Sequence, residues 1–159
     1  MKKILPFMLL SLLSLGALLY VLNREAPLRE ISLAELEEAF AGAPGREAME
    51  AFGEMRFRRN FALNSSDYAE VLYYGQQDTM LVNVFLVIRL REEAQADGVL
   101  SALKTYVSSQ KQAFEGYGPE QTALLSAAKI YQRGCYAALF VGEEAESWLR
   151  LLTDRTEVR

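Results

Sequence analysis

The sequence predicts an α+β domain: a four-stranded antiparallel sheet built from two hairpins, with helices on one face, preceded by an N-terminal transmembrane helix. Three observations predict it. Ile4 to Leu22 is an uncharged apolar run, two stretches of strand-type residues each fold back around a turn, and the segments between and after them switch to helical spacing. Strands and helices that alternate as hairpin, helix, hairpin, helix give an antiparallel sheet with segregated helices.

The nineteen residues from Ile4 to Leu22 follow Lys2 and Lys3 and precede Arg24. At about 1.5 Å per residue a helix of that length spans roughly 28 Å, close to a hydrocarbon core. A cleaved signal peptide is the alternative, but its apolar region is shorter and ends in a small-x-small site, which Leu15-Gly16-Ala17 matches poorly. The expectation is an uncleaved signal-anchor over residues 1–27. The two lysines favour an inside N-terminus and an extracytoplasmic domain, and Arg24 and Arg29 oppose that bias.

After Pro27 the pattern becomes amphipathic. Ser32-Leu-Ala-Glu35 has the form of a capping box, with Ile31 and Leu36 as its hydrophobic staple, so a helix starts there and stops at Gly42-Ala-Pro44-Gly45. Met49, Phe52 and Met55 at spacing three predict a second short helix over 47–57, which completes a helical lead-in over 28–57. The α+β domain proper is then expected over 58–153, with a tail over 154–159.

Val71-Leu-Tyr-Tyr74, closed by Gly75 and the polar turn Gln76-Gln77-Asp78, pairs with the run from Met80 to Leu90. Both alternating sets of that second run are apolar, which marks a central, well-covered strand. Over 92–115, Val99, Leu103, Tyr106, Val107, Gln110 and Phe114 share one helical face. Gly118-Pro119 ends that helix at a corner where glycine is expected to supply a positive φ, and Pro119 suits the first turn of a short helix. Lys129 to Arg133 and Tyr136 to Val141 form the second hairpin around Gly134. A last helix over 143–152 buries Ala145, Trp148, Leu149 and Leu152.

Composition narrows the function. The net charge of −4 and the pI near 5.0 argue against a nucleic-acid partner, which needs a concentrated basic surface. Arg56, Arg58 and Arg59 are the nearest to one, and they read as a solvated face or a complement to a helix dipole. With no histidine and a single cysteine, Cys135, the chain contains no Cys/His zinc set, no Cys-x-x-Cys pair, no histidine triad and no internal disulfide. No cofactor and no metal are expected.

From about Phe57 to Leu152, some sixty per cent of the chain, the sequence resembles a bacterial family known as domain of unknown function 4358, whose members are mostly lipoproteins by sequence. The residues that carry the resemblance are Tyr73-Tyr74-Gly75, Val87-Ile-Arg-Leu90, Gly134-Cys-Tyr136 and above all Ser109-Gln-Lys-Gln-Ala-Phe-Glu-Gly-Tyr-Gly-Pro-Glu-Gln121. The resemblance implies a place in the cell envelope and supplies no activity or catalytic residue. No cysteine follows the apolar segment here, so a transmembrane anchor would replace the lipid.

Three groups of residues could carry chemistry. Ser101-Ala-Leu-Lys104 and Ser108-Ser-Gln-Lys111 match the Ser-x-x-Lys spacing of penicillin-recognising enzymes, without the companion Ser-Asp-Asn and Lys-Thr-Gly motifs. Glu115 and Glu120 flank the Gly-Tyr-Gly-Pro break as a possible carboxylate pair. Glu143, Glu144 and Glu146 could contact a cation, but they complement a helix dipole more simply. Tyrosines offer rigid area with a polar tip, and Tyr73, Tyr74 and Tyr117 are the expected binding residues. The expected protein is thus single-pass and membrane-anchored, with a non-catalytic domain that binds another envelope protein or component. The alternative is a cell-wall hydrolase that uses the serine-lysine or carboxylate pairs.

Overall fold

Ser32 opens the domain as the N-cap of the first helix, the half of the expected capping box that its own side chain supplies. In the computed structural model, which describes residues 28–157 and the single upstream position Ser14, its Oγ accepts from the Glu35 N–H at 3.3 Å and helix α1 runs Leu33–Ala41. Ile31 and Leu36 are both buried beside it. The expected transmembrane helix lies outside the described residues. Among the described residues no helix is long and apolar enough to cross a membrane.

The second expected helix is replaced by a 3-10 turn at Arg46–Ala48, a two-residue strand β1 at Glu50–Ala51 and helix α2 at Glu54–Phe61. Gly53 is the N-cap that separates them. The spacing of Met49, Phe52 and Met55 therefore marks no helical face: Met49 is buried, Phe52 half-buried and Met55 in solvent. Strand β2 (Glu70–Gly75) and strand β3 (Val84–Arg89) follow. The loop between them occupies 76–83, so β3 begins four residues after the Met80 expected from sequence. Asp78 turns the chain there by accepting from the Met80 N–H through Oδ1 and the Leu81 N–H through its carbonyl. Helix α3 (Ala96–Phe114), helix α4 (Pro119–Ser126), strand β4 (Lys129–Arg133), strand β5 (Tyr136–Val141) and helix α5 (Ala145–Thr156) complete the chain. The last helix continues beyond the expected end near Leu152, because Leu152 and Thr156 are both buried against the sheet side of the domain.

The sheet has five strands, not four, in the order β1-β2-β3-β5-β4, and all its neighbours are antiparallel. Its helices cover both faces, not one. Leu86 and Ile88 of β3, with Ala137, Leu139 and Val141 of β5, point toward Phe57, Phe61, Val99, Leu103 and Leu125 of α2, α3 and α4. Phe85 and Val87, with Tyr136, Ala138 and Phe140, point toward Leu36 and Phe40 of α1 and Trp148 and Leu152 of α5. A strand whose two alternating sets are both apolar must be covered twice. The lead-in packs into the domain: Ile31, Leu33, Leu36, Phe40 and Met49 join one of the two cores, and Phe57 joins the other.

The corner after α3 corrects the glycine expectation. Gly118 has φ −122°, an ordinary value, and the positive φ belongs to Gly116 at +90°. Gly118 is nevertheless tightly placed, since a Cβ there would stand 2.7 Å from Phe114 Cδ1. Gly116→Ala is expected to lower the unfolding free energy by about 1–2 kcal/mol through backbone strain. Gly118→Val should lower it too, by displacing buried Phe114. Urea unfolding followed by circular dichroism measures both, and a Gly116→Ala change within error of zero would contradict the corner geometry.

Candidate functional site

The two ends of the sheet differ in what they carry. At one end lie Glu70, Arg89, Tyr136 and Arg133, which pair across the strands. The chain enters the domain here: Leu28 bridges to Glu157, and the Arg29 N–H donates to the Thr156 carbonyl at 2.6 Å. Glu70 Oε2 accepts both from Arg89 Nε at 2.8 Å and from the Leu33 N–H at 3.0 Å, which places a carboxylate at the positive N-terminus of α1. The far end, roughly 17 Å along six-residue strands, carries Gly75, Val84 and Val141 and the loop 76–83.

At this far end, between the loop, α2 and the α3–α4 corner, lies a cavity of about 310 Å³ lined by Arg56, Arg59, Asn60, Tyr73, Tyr106 and Tyr117 among others. Arg56, Arg59 and Asn60 reach it because positions i, i+3 and i+4 share one face of α2. The Arg56 guanidinium is held 4.1 Å from the Phe52 ring centroid, and its Nη1 donates to Gln77 Oε1 at 3.1 Å. Asn60 Nδ2 donates to the Tyr73 hydroxyl at 2.7 Å. Burial pushes the Tyr73 phenol above its usual pKa, against the Asn60 hydrogen bond and the charges of Arg56 and Arg59, which pull it down. Burial drives Tyr106 further up. Both are neutral phenols near pH 7, suited to hydrogen bonding and not to proton abstraction.

A second space of about 580 Å³ adjoins it in the α2–α3 groove; the two share Arg59, Asn60, Tyr106 and Gln110, and the second adds Ser101, Thr105 and Ser109 from α3. Across the loop a third, of about 820 Å³, is acidic, with Glu47, Glu120, Glu143 and Glu144 in its lining. Gln76, Leu81 and Asn83 line both it and the arginine cavity. Gln76 and Gln121 each bury an Oε1 without a partner.

The expected binding residues divide. Tyr73 and Tyr117 line the same cavity. Tyr74 lies on the other face of the sheet, where its hydroxyl donates to Glu37 and the Arg46 guanidinium stands 4.3 Å over its ring. Tyr73 and Tyr74 are each 4% exposed, so neither offers the open surface expected of it; Tyr117 is 61% exposed. Ser101 lines the groove, whereas Lys104, Ser108 and Lys111 do not. Glu120 lines the acidic cavity and Glu115 does not. Glu146 is engaged by Lys129 at 3.0 Å and Arg150 at 3.7 Å, and the Lys129 hydrogen bond and charge hold its carboxyl below the usual range. Among the described residues no group of three or more Cys, Asp or Glu side chains is placed to hold a metal ion. Cys135 is a half-buried free thiol in the β4–β5 turn.

The fold is that of a three-layer α+β domain, an antiparallel sheet between two helical layers. The family model described as Domain of unknown function (DUF4358) matches residues 45–142, more than half of the chain, and the chain belongs to that family. Comparison with curated proteins and with solved structures gives no match.

Proposed function

We propose that this chain is a single-pass, membrane-anchored envelope protein whose domain stands on the extracytoplasmic side as a non-catalytic binding module. Its partner is taken at the end of the sheet remote from the tether. The observation that carries this reading is the placement of the exposed apolar side chains. Met55, Met80, Leu81 and Tyr117 are the large hydrophobic side chains exposed among the described residues. All four belong to the first turn of α2, the loop 76–83 and the α3–α4 corner, the segments that line the arginine cavity. Leu81 and Tyr117 line the cavity itself, and Met55 and Met80 neighbour its lining residues in sequence; exposed apolar side chains concentrated on the segments around one concavity mark an interaction surface more than scattered ones do. The uncharged run from Ile4 to Leu22 supports the anchor, and the entry of the chain at Leu28 turns the cavity away from it.

A photoreactive residue at position 81 or 117 of the full-length protein in its native membrane tests this. Both positions are expected to capture the same partner, and position 150, exposed on α5, is expected to capture none. Equal capture from position 150, or none from 81 and 117, would refute the site. Lys104→Met should leave capture unchanged, since Lys104 stands outside the groove lining; loss of cellular function with retained stability and retained capture in the pair Ser101→Ala with Lys104→Met would favour the hydrolase.

A further inference from the structure

We infer that the occupant of the arginine cavity is an extended segment of another protein that presents a carboxylate, from Asp, Glu or a chain terminus, flanked by apolar side chains. This rests on the binding reading above and names its partner class.

Charge sets the first requirement. The cavity lining carries Arg56 and Arg59 against one acid, Asp78, in a chain whose net charge is −4. The local sign is therefore opposite to that of the whole. Arg56 is already ordered by Phe52 and Gln77, so little rotamer freedom remains to be lost when its planar fork meets a carboxylate. Arg59, one turn on, is exposed and adds a second cation on the same face.

The rim sets the second requirement. Leu81, 42% exposed, and Tyr117, 61% exposed, line the cavity with the two arginines, and the exposed Met55 and Met80 stand next in sequence to the lining residues Arg56 and Leu81. Arginine, tyrosine and methionine are enriched at protein recognition sites, and methionine re-packs around varied side chains. A free inorganic anion would gain nothing from this rim. The acidic cavity sets the third requirement, because it shares Gln76, Leu81 and Asn83 with the arginine cavity and carries Glu47, Glu120, Glu143 and Glu144. A polyanion long enough to cross the loop would meet those glutamates, whereas a segment with one carboxylate would not. A volume of about 310 Å³ accommodates one or two side chains.

The test displays the full-length protein, held in phosphatidylcholine nanodiscs, to a phage library of random dodecapeptides. Enriched peptides are expected to carry Asp, Glu or a free C-terminus within two residues of Leu, Met or Phe. Arg56→Gln with Arg59→Gln should reduce their recovery about tenfold or more, and Arg59→Glu should shift selection toward Lys and Arg. Arg59 is exposed, so its variants keep the fold, which thermal melting verifies. Enrichment of the same peptides by wild type and the double variant, enrichment of neutral or basic peptides, or no enrichment overturns the inference. If crosslinking from positions 81 and 117 persists in any of those cases, the binding site stands and only the partner class falls.

Discussion

Trp148→Ala is expected to lower the unfolding free energy by about 3–5 kcal/mol. Trp148 projects from α5 into the core formed with α1, where the rings of Phe40 and Phe85 stand edge-on to it at 5.8 and 6.0 Å. Phe40 and Phe85 are themselves stacked at 3.7 Å, so the indole is one wall of a three-ring cluster. Its Nε1 donates to the Pro44 carbonyl at 3.0 Å, which ties the chain after α1 to the last helix. Alanine would leave a void and an unpartnered carbonyl together. Trp148→Phe keeps most of the volume and should cost less, through the lost hydrogen bond and the smaller ring. Because Trp148 is the only tryptophan, circular dichroism and not intrinsic fluorescence should follow the urea transition. A loss below about 1 kcal/mol for alanine, at unchanged slope, would show that α5 does not seal this face.

Tyr136→Phe should cost about 2–4 kcal/mol by removing a single oxygen. The Tyr136 hydroxyl accepts from the Ile31 N–H at 2.7 Å and donates to the Ile31 carbonyl at 2.9 Å. Tyr136 and Ile31 are both buried, so phenylalanine would strand a donor and an acceptor away from water. Hydrogen exchange separates this from a general loss of packing. The Ile31 amide should lose protection by more than the α3 amides do, and an equal loss everywhere would contradict the local account.

Several features of this fold can be read directly from the residues. Ser32 and Glu35 announce α1, and Gly134 between two β-rich runs announces the second hairpin, because capping and turn chemistry are local. Strand β1 is not legible, since two residues carry no alternation. The double cover of the sheet is encoded in Val84, Leu86 and Ile88 against Phe85 and Val87. Which helices go to which face is encoded only in the chain path, which brings Leu28 to Glu157 and so sets α1 beside α5. Those two helices lie outside the segment 45–142 shared with the family.

The site was legible in a narrower sense. Tyr73 and Tyr74 are adjacent on a strand, so the two-residue period already sends them to opposite faces. Tyr117 stands out because the Gly-Tyr-Gly-Pro break leaves it no helical face to pack in. Arg56, Arg59 and Asn60 share a face only once the helix is known to start after Gly53. That their face closes a cavity with the loop 76–83 is a long-range fact which no local pattern in the sequence contains.

The central claim is that the arginine cavity is where this protein meets its partner, and hydroxyl-radical footprinting of the methionines tests it most directly. Met55 and Met80 are exposed on α2 and the loop 76–83, the segments that supply Arg56 and Leu81 to the cavity, and oxidise readily, while Met49 is buried and serves as the internal reference. The full-length protein should show lower oxidation at Met55 and Met80 in its native membrane than after purification into detergent, with Met49 unchanged. Equal oxidation of Met55 and Met80 in the two preparations would contradict the account.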